Sequence, residues 1–189
     1  MLFYLLPFAF CLLTYLLTLT QVHTFDALSY ILDVDRKPWP ELFHPHHLAY
    51  GPLGALIRAA ARALGWRGSA ATLIQSANAL AGAAGVTIFA GAVRRATGRA
   101  DLATLGALLL GSSYAFWYYA VEVEVYTIAC LFLIIALALI VALLRRPSPA
   151  LAATLGLAQG LAVLFHQTNV LLGVPVAVAL LLSGVRGQG

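Results

Sequence analysis

Residues 121–146 read VEVEVYTIACLFLIIALALIVALLRR: two glutamates, an uncharged run from Val125 to Leu144, then paired arginines. A helix of about 20 apolar residues matches the roughly 30 Å hydrocarbon core of a bilayer, so this stretch reads as a membrane-spanning helix. Working outward, five more apolar runs stand out: Leu2–Thr20, Ala70–Val93, Leu102–Tyr119, Ala150–Phe165 and Val170–Leu182. The last two are short, and Pro175 lies inside the final one. The sequence therefore predicts an all-α integral membrane protein with about six transmembrane helices, organised as a single membrane domain over residues 1–189.

Composition agrees. The chain is 62% hydrophobic and 10% charged, with a mean hydropathy of +0.92, whereas ordinary globular chains carry roughly 25% charge. A soluble domain is excluded. The net charge of +4 does not indicate nucleic acid, because the cations are scattered and flank apolar runs. Cys11 and Cys130 each sit inside such a run, without metal-ligand spacing, and read as packing residues. The first run lacks a basic leader and a small-x-small cleavage site, so it reads as a retained helix rather than a signal peptide. It begins directly after Met1, which leaves room for a start further upstream.

One long polar segment interrupts the hydrocarbon, from Gln21 to Gly68. Four of the seven acidic residues lie in it, with four of the five histidines and five of the eleven cations. Within it Pro38-Trp39-Pro40 opposes regular helix, since each proline removes a donor and constrains its predecessor. Further on, Leu53, Leu56, Ile57, Ala60 and Leu64 recur at helical spacing with Arg58 and Arg62 on another face. That pattern predicts an amphipathic helix lying in the headgroup plane, with Trp66 near the interface. The tyrosines and tryptophan of 114–119 form a second interfacial belt.

The arginines orient the chain. Arg94, Arg95, Arg99, Arg145, Arg146 and Arg186 fall on one side of the expected spans, while the short connections around 121–124 and 166–169 hold no Lys or Arg. The positive-inside rule then puts both ends in the cytoplasm and the 21–68 loop outside.

Three groups of ionisable residues meet on that outer face. Asp26 follows the first span closely and can act as general base toward a hydroxyl acceptor; a solvated loop acid or a helix cap is the plainer alternative. His44-Pro45-His46-His47 offers imidazoles for phosphate contact, for structural hydrogen bonding in a rigid turn, or for a metal supplemented by ligands from elsewhere. Glu122 and Glu124 open the 125–144 span. Two residues apart on a helix they would face opposite ways, so at most one is expected inside the bundle. His166, at the outer end of the 150–165 span, faces the same layer. Deeper in the membrane, Gln75 and Asn78 share a helix face and predict interhelical hydrogen bonding.

These motifs resemble a known family. An apolar first span, an external Asp26 with Tyr30 four residues later, a His44-Pro45 turn leading into Leu48-Ala49-Tyr50-Gly51-Pro52-Leu53, and a surface helix resemble the start of GT-C glycosyltransferases. The nearest likeness is to the protein O-mannosyltransferase-like group and its bacterial relatives. Those relatives often show His-Pro-Pro-Gly-Tyr-Pro-Leu at the turn, which this chain matches imperfectly. Their Glu-Val-Tyr is matched by Glu124-Val125-Tyr126, and their His-x-Thr-Asn by His166-Gln167-Thr168-Asn169. The likeness covers the front part of such enzymes, which continue for further spans. A fragment, a truncated product and a minimal relative all remain open.

The resemblance implies a GT-C-like N-terminal module in a bacterial inner or plasma membrane. It implies sugar transfer from a polyprenyl-phosphate-linked donor to an acceptor hydroxyl (on protein, glycan or lipid) at the extracytoplasmic face. Asp26 and Glu124 would be catalytic, and His44, His46, His47, Tyr50, Arg58, Arg62 and His166 would contact substrate. Guanidinium matches a phosphate bidentately, which suits Arg58 or Arg62 to the leaving group. No particular cofactor is implied, and a divalent metal stays open at the histidine turn. The alternative from another class is a non-enzymatic polytopic protein, a transporter portion or a complex subunit. Transporters place charge near the bilayer midplane, whereas here it gathers at the outer boundary.

Overall fold

The structure, a computed structural model, describes residues 2–186, with side chains over 3–184. Met1 and Gly187-Gln188-Gly189 lie outside the described residues, as does the Arg186 side chain counted above among the orienting cations. The described residues form nine α-helices and no strand: α1 (Leu2–Leu17), α2 (Phe25–Arg36), α3 (Tyr50–Ala63), α4 (Ala70–Thr97), α5 (Ala100–Ser112), α6 (Tyr114–Ala120), α7 (Tyr126–Arg145), α8 (Pro149–Phe165) and α9 (Gly173–Arg186). Short 3-10 turns occupy Trp39–Leu42 and Gln167–Leu172.

Three segments are long and apolar enough to cross a membrane: α4, α7 and Gln167–Gly184. Phe3–Leu17, Ala100–Ser112 and Pro149–Phe165 are apolar but shorter. Their outward faces stay hydrophobic. Phe10, Leu13 and Leu17 on α1, Leu105, Leu108 and Leu109 on α5, Leu157 on α8, and Val174 and Leu181 on α9 are all exposed. A contiguous apolar exterior of this kind is stable against lipid, not water.

Helix α4 is the axis of the bundle, packed by α1, α5, α6 and α7, while α8 and α9 pack on α7. Its alanines and glycines are what allow this. A Cβ added at Gly82 would lie 3.0 Å from Ala120 Cβ and 3.1 Å from Tyr15 Cε2, so α1 and α6 approach so closely there that a side chain would push them back by a few tenths of an ångström. Tyr15, almost completely buried, donates its hydroxyl to the Gly111 carbonyl at 2.8 Å and ties α1 to α5.

The ends of the bundle differ in charge. Arg145 Nη2 donates to the Ala96 carbonyl at 2.7 Å, and the Arg94 guanidinium sits 4.5 Å above the Phe3 ring. The C-termini of α4 and α7 and the start of α1 therefore share one basic end. At the opposite end the acidic residues and histidines assemble.

Two sequence expectations are revised. The run 102–119 is not one helix: Ser113 adopts extended backbone, and its Oγ donates to the Leu110 carbonyl at 2.8 Å, closing α5 before α6 begins. At 13 residues α5 rises only about 20 Å. The 21–68 loop, expected to carry one helix, carries two. Besides the amphipathic α3, residues 25–36 form α2, which buries Ala27, Ile31 and Val34 at helical spacing. Thr24 caps it, accepting from Ala27 N at 3.0 Å.

Candidate active site

The polar end is built around residues 121–125, an irregular link between α6 and α7. Irregular backbone buried in an apolar bundle leaves carbonyls that need donors. Gln75 and Asn78 of α4 supply them. Gln75 Nε2 donates to the Thr20 and Val121 carbonyls at 2.9 and 3.0 Å. Asn78 Nδ2 donates to those of Glu122 and Glu124 at 2.7 and 2.9 Å, and Tyr50 Oη lies 3.3 Å from the same nitrogen. The interhelical bonding expected of these amides is present, but it is made to main chain.

This link overturns the expectation that one glutamate faces water. Both are buried, Glu122 at 0% and Glu124 at 4% exposure, because the segment is not helical and opposite faces do not apply. Glu122 Oε1 accepts from Val123 N at 2.7 Å and pairs with His23 Nδ1 at 2.8 Å. Glu124 Oε1 accepts from Thr24 Oγ1 at 2.8 Å. Burial raises the Glu124 pKa, as do the charges of Asp26 and Glu122, against the lowering effect of the Thr24 bond.

Asp26 stands exposed in the first turn of α2. Tyr30, one turn on, is half-buried, and burial followed by the charges of Glu124 and Asp26 pushes its phenol pKa up. Its ring packs edge-on against Tyr50, centroids 5.1 Å apart.

The histidine turn joins from the side. His47 N donates to the His44 carbonyl at 3.0 Å, and the two imidazoles stack at 5.3 Å. The turn is strapped to the α8 end by Ala49 N to Leu164 O and Gln167 N to His46 O, at 3.0 and 3.1 Å. His47 then meets His166 at 4.9 Å, and His166 meets Tyr126 at 5.2 Å. Burial, reinforced by His166 and His44, lowers the His47 pKa to about 4. Burial and then His46 lower that of His166. At neutral pH the His47 ring is therefore a hydrogen-bonding group, not a cation. Among the described residues no three His, Cys, Asp or Glu side chains are arranged to hold a metal ion.

The structure thus gathers Asp26, Glu124, Tyr50, His44, His46, His47 and His166 around one end of α4 and α7. It does not bring the arginines of α3 into that group. Arg58 Nε lies 2.7 Å from Asp35 Oδ1, an ion pair whose N–H is not aimed at the oxygen, and Nη2 donates to the Asp35 carbonyl at 3.1 Å. Arg62 lines a separate depression with Gly65, Trp66 and Arg67. His23 and Thr24 belong to the polar end without a sequence signal of their own beyond Thr24 as the cap of α2, and Tyr126, read from sequence only as part of the Glu124-Val125-Tyr126 motif, joins them there.

Comparison with known families finds a match to the model described as dolichyl-phosphate-mannose-protein mannosyltransferase over residues 44–188. No curated protein and no solved structure matches the chain significantly. The family match takes in the histidine turn, Glu124 and His166, and begins after Asp26.

Proposed function

The chain belongs to the dolichyl-phosphate-mannose-protein mannosyltransferase family, integral membrane glycosyltransferases of the GT-C kind that use a lipid-linked sugar donor, and from that premise we propose the following reaction. A sugar passes from a polyprenyl-phosphate-linked donor to an acceptor hydroxyl at the extracytoplasmic face, with inversion at the anomeric carbon. The acceptor oxygen forms the new bond as the bond from the anomeric carbon to the phosphate oxygen breaks. Asp26 takes the acceptor proton, and polyprenyl phosphate leaves with the electron pair.

One observation carries this reading: an exposed carboxylate, two buried glutamates and the histidine turn converge at the bundle end opposite Arg94 and Arg145. Asp26 is a solvent-facing carboxyl group at the start of α2, which suits a general base. Glu124 shapes the floor beneath it, through Thr24. The imidazoles of His44, His46, His47 and His166 would donate hydrogen bonds to the leaving phosphate, which reaches headgroup height because its polyprenyl tail stays in lipid. Tyr50 is buried beneath the turn, against Tyr30 and Asn78, and would act on substrate only through them. Arg58 and Arg62 would contribute to the phosphate site only if released from their present surroundings. We read residues 1–189 as one membrane domain with six spans and both ends cytoplasmic.

The test is transfer from a polyprenyl-phospho-sugar by the protein reconstituted in vesicles. Asp26→Asn should abolish transfer while leaving expression and thermal stability unchanged; undiminished transfer would reject Asp26 as the base.

A further inference from the structure

Two chain segments far apart in sequence run side by side beneath Asp26. Thr20 N donates to the Val121 carbonyl at 3.2 Å. Gln75 grips the Thr20 and Val121 carbonyls together. His23 Nδ1 meets Glu122 Oε1 at 2.8 Å, and Thr24 Oγ1 meets Glu124 Oε1 at 2.8 Å. The contacts climb in register, ending at the residue that caps the helix bearing Asp26.

The central rung is chemically the most demanding. Glu122 is completely buried, and its Oε2 finds no hydrogen-bond partner among the described residues. A buried carboxylate with half its acceptor capacity unused is costly unless a counter-group holds it. Among the described residues the one side chain that hydrogen-bonds to it is His23, whose side chain is 19% exposed. A histidine held in this way loses its rotational freedom, and so does the chain around it.

We propose that His23 and Glu122 are a positioning pair for the transfer reaction, locking the 20–24 segment to the 121–125 link so that Thr24 seats on Glu124 and Asp26 is held at a fixed height above it. This rests on the glycosyltransferase reading. Neither residue touches substrate. The pair acts through α2: the α1–α2 link carries no other side-chain contact to Glu122, and residue 23 is directly joined to the capping Thr24. Loss of the pair leaves α2 anchored by its apolar face and, in its last turn, by the pairing of Asp35 with Arg58. That face (Ala27, Ile31 and Val34) fixes which side of the helix is down, but not how far its first turn slides along the floor.

The geometry also dictates a conservative rescue. An asparagine side chain places its Nδ2 close to where His23 Nδ1 now sits, so His23→Asn keeps a donor toward Glu122. His23→Ala removes it.

The experiment has two arms. In the first, a nitroxide label at position 28, on the exposed side of α2 (Leu28 is 47% exposed), reports the motion of that helix without reference to activity. Label mobility should rise in His23→Ala and in Glu122→Gln, rise no further in the double variant, and stay at the wild-type level in His23→Asn. In the second, steady-state transfer should show kcat reduced between about tenfold and about a hundredfold in His23→Ala, as expected for a misplaced catalytic group. The KM for the lipid-linked donor should hold, because the histidine turn is tethered elsewhere, and His23→Asn should recover most of kcat. Unchanged label mobility in both single variants, or additive effects in the double, would overturn the pair as a lock. If Glu122→Gln does not fold, His23→Ala against His23→Asn decides alone. A wild-type protein that transfers no sugar, yet shows the non-additive mobility pattern, would instead reject the reaction and leave the lock standing.

Discussion

The imidazoles of His47 and His166 lie 4.9 Å apart, and burial, then the neighbouring His166 and His44, disfavour the charged form of His47. The His47 pKa falls from 6.5 to about 4, burial being the larger cause. A depressed histidine means that the unfolded chain binds more protons than the folded one between those values. Its stability contribution is therefore complete above about pH 6.5 and is lost as pH falls toward about 4. Glu124, whose pKa is raised, acts in the opposite sense, so the wild-type slope alone is ambiguous. The difference between wild type and His47→Gln isolates the histidine. Thermal melts in detergent from pH 7 to pH 4 should show wild type losing stability relative to the variant over that window. Parallel curves would refute the pairing of these rings.

Asn78 is completely buried and gives both amide hydrogens to the Glu122 and Glu124 carbonyls. Asn78→Ala would strand two buried carbonyls at a cost of about 1–3 kcal/mol each. The 121–125 link would then seek other partners and carry Glu124 with it. The expected result is a loss of about 2–6 kcal/mol in unfolding free energy, together with faster hydrogen exchange at Val123. Asn78→Asp should be worse, since it sets a carboxylate against two carbonyl oxygens. A melt unchanged in Asn78→Ala would mean that water satisfies the link instead.

The paired arginines at the ends of α4 and α7 lie at the end of the bundle away from the histidine turn, and this gives a topology that can be measured. Arg94, Arg95, Arg145 and Arg146 belong to one end, where Arg145 reaches Ala96; the histidine turn belongs to the other. With the native Cys11 buried and Cys130 half-buried, new cysteines report cleanly. His46→Cys should react with a membrane-impermeant thiol reagent added outside intact cells, and Arg95→Cys only after permeabilisation. The reverse pattern would invert the proposed orientation and move the reaction to the cytoplasmic face.

Much of this fold is readable in the sequence because the signals are local. Apolar run length marks α4 and α7, and i, i+3, i+4 spacing marks α3. The break at Ser113 was not legible, since serine is tolerated within a membrane helix and only its bond to the Leu110 carbonyl ends α5. Helix α2 was legible but masked: its acids drew attention to chemistry, while Ala27, Ile31 and Val34 already carried the helical period. Within the site, Asp26, Glu124 and the histidines could be picked out by type. The His23–Glu122 pair could not, because it depends on two irregular segments meeting across the bundle. The burial of both glutamates was missed for the same reason, helical geometry having been assumed where the chain is irregular.

Thr24 concentrates two duties in one hydroxyl, and separating them predicts how the site responds to pH. Its oxygen accepts from Ala27 N and its proton goes to Glu124 Oε1. Thr24→Val keeps the shape and removes both. Loss of the cap should cost about 1 kcal/mol. Loss of the donor removes the bond that lowers the Glu124 pKa, leaving burial and the neighbouring Asp26 and Glu122 charges to raise it further. The sign follows from linkage: a carboxyl whose folded pKa is raised holds its proton after the unfolded chain has released it, so stability declines as pH rises from about 4.5 through the folded value. In Thr24→Val that decline should extend to higher pH than in wild type, and Thr24→Ser, which retains donor and acceptor, should restore the original profile. Melting curves from pH 4 to pH 8 provide the measurement. Coincident curves for wild type and Thr24→Val, apart from a constant offset, would show that Glu124 is held by something other than Thr24.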